Sequence, residues 1–223
     1  MRQLKQVYGS NYAFVGVGDH STNNLYPVLN YLHVPLKYIC CKSKDKIPLI
    51  EAAYPNVCAT TSLADILHDD DIKGVFVSAS PQSHFAIASE VIKSGKALFI
   101  EKPPCQSEDE LLQLISMRKE ANFPQVTVGL QKRNAPVIRI LKKKLQKCRG
   151  NMSYNLKYLT GAYPEGDALL DLFIHPLDYV TFLFGKAEVK FAEWVKHHTL
   201  MLVLKHEKAT GILELSTGYS WHN

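Results

Sequence analysis

Asp171, His175 and Asp178 stand four and three residues apart in an otherwise apolar run, Ala-Leu-Leu-Asp-Leu-Phe-Ile-His-Pro-Leu-Asp-Tyr-Val. At those spacings all three side chains fall on one face of a helix. Imidazole is the side chain that gains and loses a proton near neutral pH, and a carboxylate one turn away can fix its tautomer. That pairing suits general acid–base chemistry. It also suits a buried Asp–His pair that merely pins the helix, and the pattern leaves both readings open. Pro176 frees a backbone carbonyl and is expected to bend the helix at this point.

A second candidate group lies at residues 97–104, Ala-Leu-Phe-Ile-Glu-Lys-Pro-Pro. The apolar run is too short for a helix and suits a buried parallel strand. Pro103 and Pro104 end the ladder, so Glu101 and Lys102 are presented at the strand's carboxyl end. Open α/β sheets bind ligands there. Lys102 is a candidate proton-handling group, and Glu101 reads as an anchor of the turn.

The third pattern is Gly16-Val17-Gly18-Asp19-His20-Ser21, a G-x-G-x-x-S turn after an apolar strand. The first glycine permits the tight turn and the second lets backbone approach a pyrophosphate. Ser21 supplies the small third residue, and the helix that follows would aim N–H groups at phosphate. Where an NAD site carries Asp or Glu after the second strand, this chain reads Cys41-Lys42-Ser43-Lys44. Lysine and hydroxyl suit a 2′-phosphate better than a 2′-hydroxyl, which favours NADP over NAD. The loop Ser80-Pro81-Gln82-Ser83-His84 is a second expected cofactor-facing segment. There His84 either touches ligand or caps and packs.

These residues need a scaffold, and the chain supplies βα alternation. Strands are expected at residues 12–17, 36–41, 74–80 and 97–100, and residues 125–129 are counted as the sixth. Capping boxes begin helices at Ser62 and Ser107. This is a Rossmann-type, doubly wound parallel sheet over residues 1–130. Beyond it the pattern changes: a basic helix, a strand at 152–159, a helix at 167–184, then strands at 187–195, 199–205 and 211–219 without helices between. Residues 131–223 therefore read as a smaller α+β domain with a mostly antiparallel sheet. Its face carrying Phe191, Trp194, Val203, Leu213 and Leu215 is expected to need cover, which points to a homo-oligomer through this sheet.

Composition excludes several classes. The chain has 223 residues and a net charge of +5. Much of the excess sits in Arg139, Lys142, Lys143, Lys144, Lys147 and Arg149, a solvated helix face without aromatic interleaving. No nucleic-acid partner is expected. Five cysteines without zinc spacing imply no metal and a reducing compartment. No apolar run approaches the ~20 residues of a membrane span, and no signal peptide is read. The expectation is a cytoplasmic protein with no membrane partner.

The sequence resembles the glucose–fructose oxidoreductase/inositol dehydrogenase (Gfo/Idh/MocA) family from about Tyr12 to Trp221. Gly16-Val-Gly18, Pro81-Gln-Ser-His84, Gly95-Lys96, Glu101-Lys102-Pro103, Arg133 and Asp171-x-x-x-His175-x-x-Asp178 carry the resemblance. It implies catalytic roles for Lys102, Asp171 and His175 on a substrate alcohol, and a cis Lys102–Pro103 bond. Arg133, with the same three residues, becomes a substrate-binding candidate. Gly16, Gly18, Asp19, His20, Ser21, Lys42, Ser43, Ser80, Pro81, His84, Glu101 and Lys102 become the cofactor set. The implied activity is NAD(P)-dependent hydride transfer to or from a secondary alcohol of a sugar, sugar derivative or cyclitol. Leu172 stands where the family often has glycine. Members are typically longer, and the second sheet here reads as trimmed, so a pocket wall is missing or comes from a partner subunit. Two other uses of the scaffold stay open: a cofactor-binding regulator or dimerisation module, and a glycosidase that transiently oxidises its substrate with bound NAD.

Overall fold

The computed structural model describes residues 11–163 and 166–219, so Trp221 lies outside the described residues. The chain divides into two compact units, Met1–Gly129 and Leu130–Asn223.

In the first unit, strands β1 (Asn11–Val15), β2 (Leu36–Cys40), β3 (Cys58–Thr60), β4 (Ile72–Val77), β5 (Ala97–Ile100) and β6 (Val126–Val128) form one sheet. Their order is β3-β2-β1-β4-β5-β6, and every pairing is parallel. The sheet reverses direction of growth between β1 and β4, which is the switch point where doubly wound folds bind dinucleotides. Helices α1 (Tyr26–Tyr31), α2 (Ile47–Ala53), α3 (Leu63–Leu67), α4 (Pro81–Lys93) and α5 (Glu108–Glu120) connect the strands. Strand β3 completes the expected count of six; at three residues it has too little pattern to be placed from sequence.

Local chemistry explains where the helices start. Ser62 accepts from the Asp65 N–H and Ser107 from the Glu110 N–H, at 3.3 and 3.2 Å. The reciprocal carboxylate of the second box reaches the Gln106 N–H, at 2.7 Å, rather than the cap residue itself. Hydrogen bonds from Thr60 and Ser62 hold the Asp65 carboxyl below its ordinary range. A core of Ala13, Val15, Val75, Val77, Leu98 and Ile100 is covered by Ala88, Val91 and Ile92 of α4. Cys40 and Cys41 are buried, as expected of small apolar residues on β2. Burial pushes the Cys40 thiol up to about 11, so it stays protonated and unreactive at neutral pH.

In the second unit, α6 (Pro136–Leu145), β7 (Met152–Leu159), α7 (Ile174–Phe184), β8 (Ala187–Val195), β9 (Thr199–His206) and β10 (Ala209–Ser216) form a four-stranded sheet with helices. The order is β7-β10-β9-β8; β7 and β10 are parallel and the other pairs antiparallel. Leu200, Leu202, Leu204, Leu213 and Leu215 pack with Phe173 and Val180, each such burial worth about 1.5–3 kcal/mol.

Register corrects the expectation of one exposed face. Leu213 pairs with Leu202 and Leu215 with Leu200, so both face the core and are fully buried. Trp194 pairs with Leu200 and its ring stacks 6.1 Å from Phe173, placing it on that same side. The opposite face carries Phe191, Val203 and Ile212 in one cross-strand row. The residues assigned to one exposed face thus belong to two, because strands alternate sides residue by residue. The basic helix is not solvated throughout either. Lys142 donates to the Phe182 carbonyl and lies 4.3 Å above the Phe182 ring.

Candidate functional site

Gly16 ends β1 in a conformation side chains avoid, φ +114°. A Cβ there would lie 2.0 Å from the Ser78 carbonyl oxygen, so only glycine lets the β1 and β4 ends approach this closely. The turn is fixed on three sides. Ser21 is buried; its hydroxyl accepts from the Gly18 N–H at 2.9 Å and donates to the Gly18 carbonyl at 2.8 Å. The Tyr26 hydroxyl donates to the Gly16 carbonyl at 3.0 Å, and burial drives its pKa up, keeping it a donor. Lys46 donates to the Val17 carbonyl at 2.7 Å. Sequence reasoning missed Tyr26 and Lys46; the lysine-rich run after β2 signalled a basic wall without saying which lysine turns inward.

Around this turn lies a cleft of about 750 Å³ lined by Gly16, Gly18, Asp19, His20, Ser21, Lys42, Ser43, Lys46, Ser78, Ala79, Ser80 and Ser83, among others. Its size falls within the ~300–1,000 Å³ of cofactor and small-molecule sites. An extended dinucleotide fits its chemistry. Glycine leaves backbone open to a pyrophosphate, and nothing lies within 4 Å of where a Gly18 Cβ would sit. Lys42, Lys46 and several hydroxyls ring the remainder. Ser43 is already engaged, donating to the Asp45 carboxylate two residues further along the chain.

Four residues of the expected cofactor set do not line this cleft. Pro81 is spent as the first residue of α4. His84 is 1% exposed, with Nδ1 2.7 Å from the Pro103 carbonyl oxygen and Nε2 3.1 Å from that of Ala79. Glu101 is buried; it accepts from the Lys102 N–H at 3.3 Å and lies 3.7 Å from His20 Nε2. Lys102 follows it, half-buried, and the Lys102–Pro103 bond is cis.

The second unit brings together a different set. Asp167 accepts from the Leu169 and Leu170 N–H groups at 2.8 and 3.4 Å and so starts a helix. Its first stretch, Leu169–Phe173, is π-helical before α7 begins. The widened turn lies one step before Pro176, whose ring would crowd an ordinary helix at residue 172. The helix thus passes from a π-helical stretch into α7, which carries Pro176 in its first turn. Asp171 sits in the π segment. Its Oδ2 accepts from the Tyr163 hydroxyl at 3.2 Å. Gly166, at φ +89°, packs so close that a Cβ there would lie 2.5 Å from the same oxygen. Tyr163 was invisible to the sequence reading because a loop separates it from the helix. His175 is buried. Asp178 does not join the other two in a triad: its carboxylate accepts a forked pair from Arg133, from Nε at 2.9 Å and from Nη2. That bond holds the guanidinium's pKa above its ordinary value. Arg133 therefore has two of its three nitrogens committed within the unit.

Among the described residues, no group of three or more His, Cys, Asp or Glu is placed to hold a metal ion, and no helix is long and apolar enough to cross a membrane.

Comparison with known proteins agrees with this geometry. Residues 10–130 match a family described as "Oxidoreductase family, NAD-binding Rossmann fold". The oxidoreductase YhhX of Escherichia coli is 24% identical over 195 residues, covering 80% of this chain and 54% of that protein. The chain thus spans about half the length of that relative. The WlbA (WbpB) dehydrogenase of Thermus thermophilus, solved with NAD and UDP-GlcNAcA, superposes with a TM-score of 0.79 at 18% identity, covering 94% of this chain and 74% of that one. GenD2 from gentamicin A biosynthesis, solved with NAD, gives 0.79 at 19% identity over 96% and 67%. At these identities the likeness is one of fold.

Proposed function

Since the chain belongs to the Gfo/Idh/MocA oxidoreductase family with an NAD-binding Rossmann fold, we propose that it moves hydride between a nicotinamide and a secondary alcohol of a sugar, sugar derivative or cyclitol. The observation that carries the reading is the cleft around Gly16 and Gly18, at the switch point of the sheet, with Lys102 at the end of a neighbouring strand. That a fold neighbour was solved with both NAD and a nucleotide sugar supports the substrate class.

When bound, the nicotinamide supplies the hydride acceptor or donor. The chain's own residues handle the rest. Oxidising an alcohol releases the hydroxyl proton, and His175 and Lys102 are the groups offered to take it. Asp171, its carboxylate oriented by Tyr163 and Gly166, is the partner proposed to orient His175. Arg133, fixed by Asp178, keeps Nη1 outside that pair for a substrate oxygen.

Lys42 and Lys46 on the cleft wall favour NADP, and the Asp45 carboxylate held on Ser43 opposes it. Lysine pairs well with phosphate, so NADPH is expected to bind more tightly than NADH, with Lys42→Ala removing about tenfold of that preference. Equal affinities in both proteins would favour NAD. The reaction itself is tested by incubating the protein with oxidised cofactor and a panel of sugars, polyols and nucleotide sugars. The absorbance band of the reduced nicotinamide should grow with one class of them. Tight cofactor binding without turnover on any member would instead support a regulator. Aglycone release from glycosides without net reduction would support the glycosidase. Residence in the cytoplasm belongs to the same reading, since every cysteine is a free thiol.

A further inference from the structure

We propose that His84 is a positioning residue that ties the cleft wall to Lys102 rather than a cofactor contact. The inference rests on the reading of Lys102 as a proton-handling group. His84 sits in the first turn of α4 and is 1% exposed. Its two nitrogens face two carbonyl oxygens from separate loops, Pro103 at 2.7 Å and Ala79 at 3.1 Å. Carbonyls only accept, so each contact becomes a hydrogen bond through a ring N–H, the tautomer deciding which nitrogen carries it. Ala79 lies between Ser78 and Ser80, and all three line the cleft. Pro103 immediately follows Lys102. One buried side chain therefore spans from the wall of the cleft to the turn that carries the lysine.

The turn holding Lys102 starts from a four-residue strand, β5. The Glu101 contact with the Lys102 N–H, at 3.3 Å, is long and comes from the adjacent residue. The His84 bond to Pro103 is the shorter one and comes from a different element. It sets the distance between Lys102 and whatever occupies the cleft beside Ser78–Ser80. A displacement of about 1 Å at such a position can cost on the order of 100-fold in rate without weakening binding.

The test compares His84→Leu, which keeps bulk and loses both ring nitrogens, with His84→Gln, whose amide can still donate to a carbonyl. His84→Leu should lower kcat about tenfold to 100-fold while leaving NADH affinity within about threefold, and His84→Gln should restore part of the rate. In the cofactor-free chain, amide hydrogen exchange at residues 78–80 and 101–105 should quicken in the leucine variant. If that variant does not fold, His84→Asn, polar but too short for both carbonyls, takes its place. Loss of cofactor affinity in step with kcat would overturn the inference, as would unchanged rate and exchange. Should the natural chain bind NADH but turn nothing over, the hydride-transfer reading falls. Exchange at 101–105 then judges the brace by itself: faster exchange upholds it and unchanged exchange overturns it.

Discussion

Replacing Lys102 with Met is expected to cut turnover by about 10²- to 10⁴-fold, the usual span for a lost acid–base group, with NADH affinity nearly intact. The separation of the two effects follows from placement. Lys102 comes after β5 and Glu101, outside the residues that line the cleft. Methionine keeps its length and apolar stem, so the turn between Glu101 and Pro103 retains its packing while the ammonium is lost. His175→Ala is expected to lower turnover in the same way, since the proposed chemistry assigns it the same proton and it is buried on α7 of the second unit. Steady-state rates and cofactor titration on the same preparations check this. Near-normal turnover in both variants would remove Lys102 and His175 from the chemistry.

The second large effect is at Gly16. Its φ of +114° already penalises any side chain, and an added Cβ would lie 2.0 Å from a backbone oxygen of Ser78. Backbone cannot swing away as a flexible side chain can. Gly16→Ala must pull the ends of β1 and β4 apart, and strain of this kind costs on the order of 1–3 kcal/mol. The cost falls on the turn that faces the cleft, because the Tyr26 hydroxyl and Lys46 grip its carbonyls in the unstrained position. The expected outcome is a lower Tm and a loss of NADH affinity of about tenfold to 100-fold, as about 1.4 kcal/mol corresponds to each factor of ten. Unchanged affinity would mean that the cofactor does not lie on this turn.

How legible each part was depends on the range over which its physics acts. The glycine turn, the strand that ends at Glu101 and Lys102, and the caps at Ser62 and Ser107 are decided within a few residues, so spacing alone announces them. The six-stranded parallel order follows from repeated βα alternation, even though β3 is too short to see. Contacts made across the fold are another matter. Nothing local says that Asp178 turns to Arg133, some 45 residues earlier, or that Tyr163 reaches Asp171 over a loop. His84 reads equally well as a ligand contact or a packing residue until Pro103 and Ala79 are brought to it. The second sheet shows the same limit: Leu213 and Val203 are alike in sequence, and only strand register assigns them to opposite faces. The π-helical stretch Leu169–Phe173 has no residue signature beyond the proline that follows it.

The claim on which the others depend is that the cleft around Gly16 and Gly18 holds a reduced nicotinamide dinucleotide. Titrating NADH and NADPH into the natural chain and into Gly16→Ala, and following nicotinamide fluorescence, tests it most directly. A saturable rise in fluorescence with the natural chain, weakened about tenfold or more by Gly16→Ala, is the predicted result. No change with either nucleotide, or equal binding by both proteins, would contradict it.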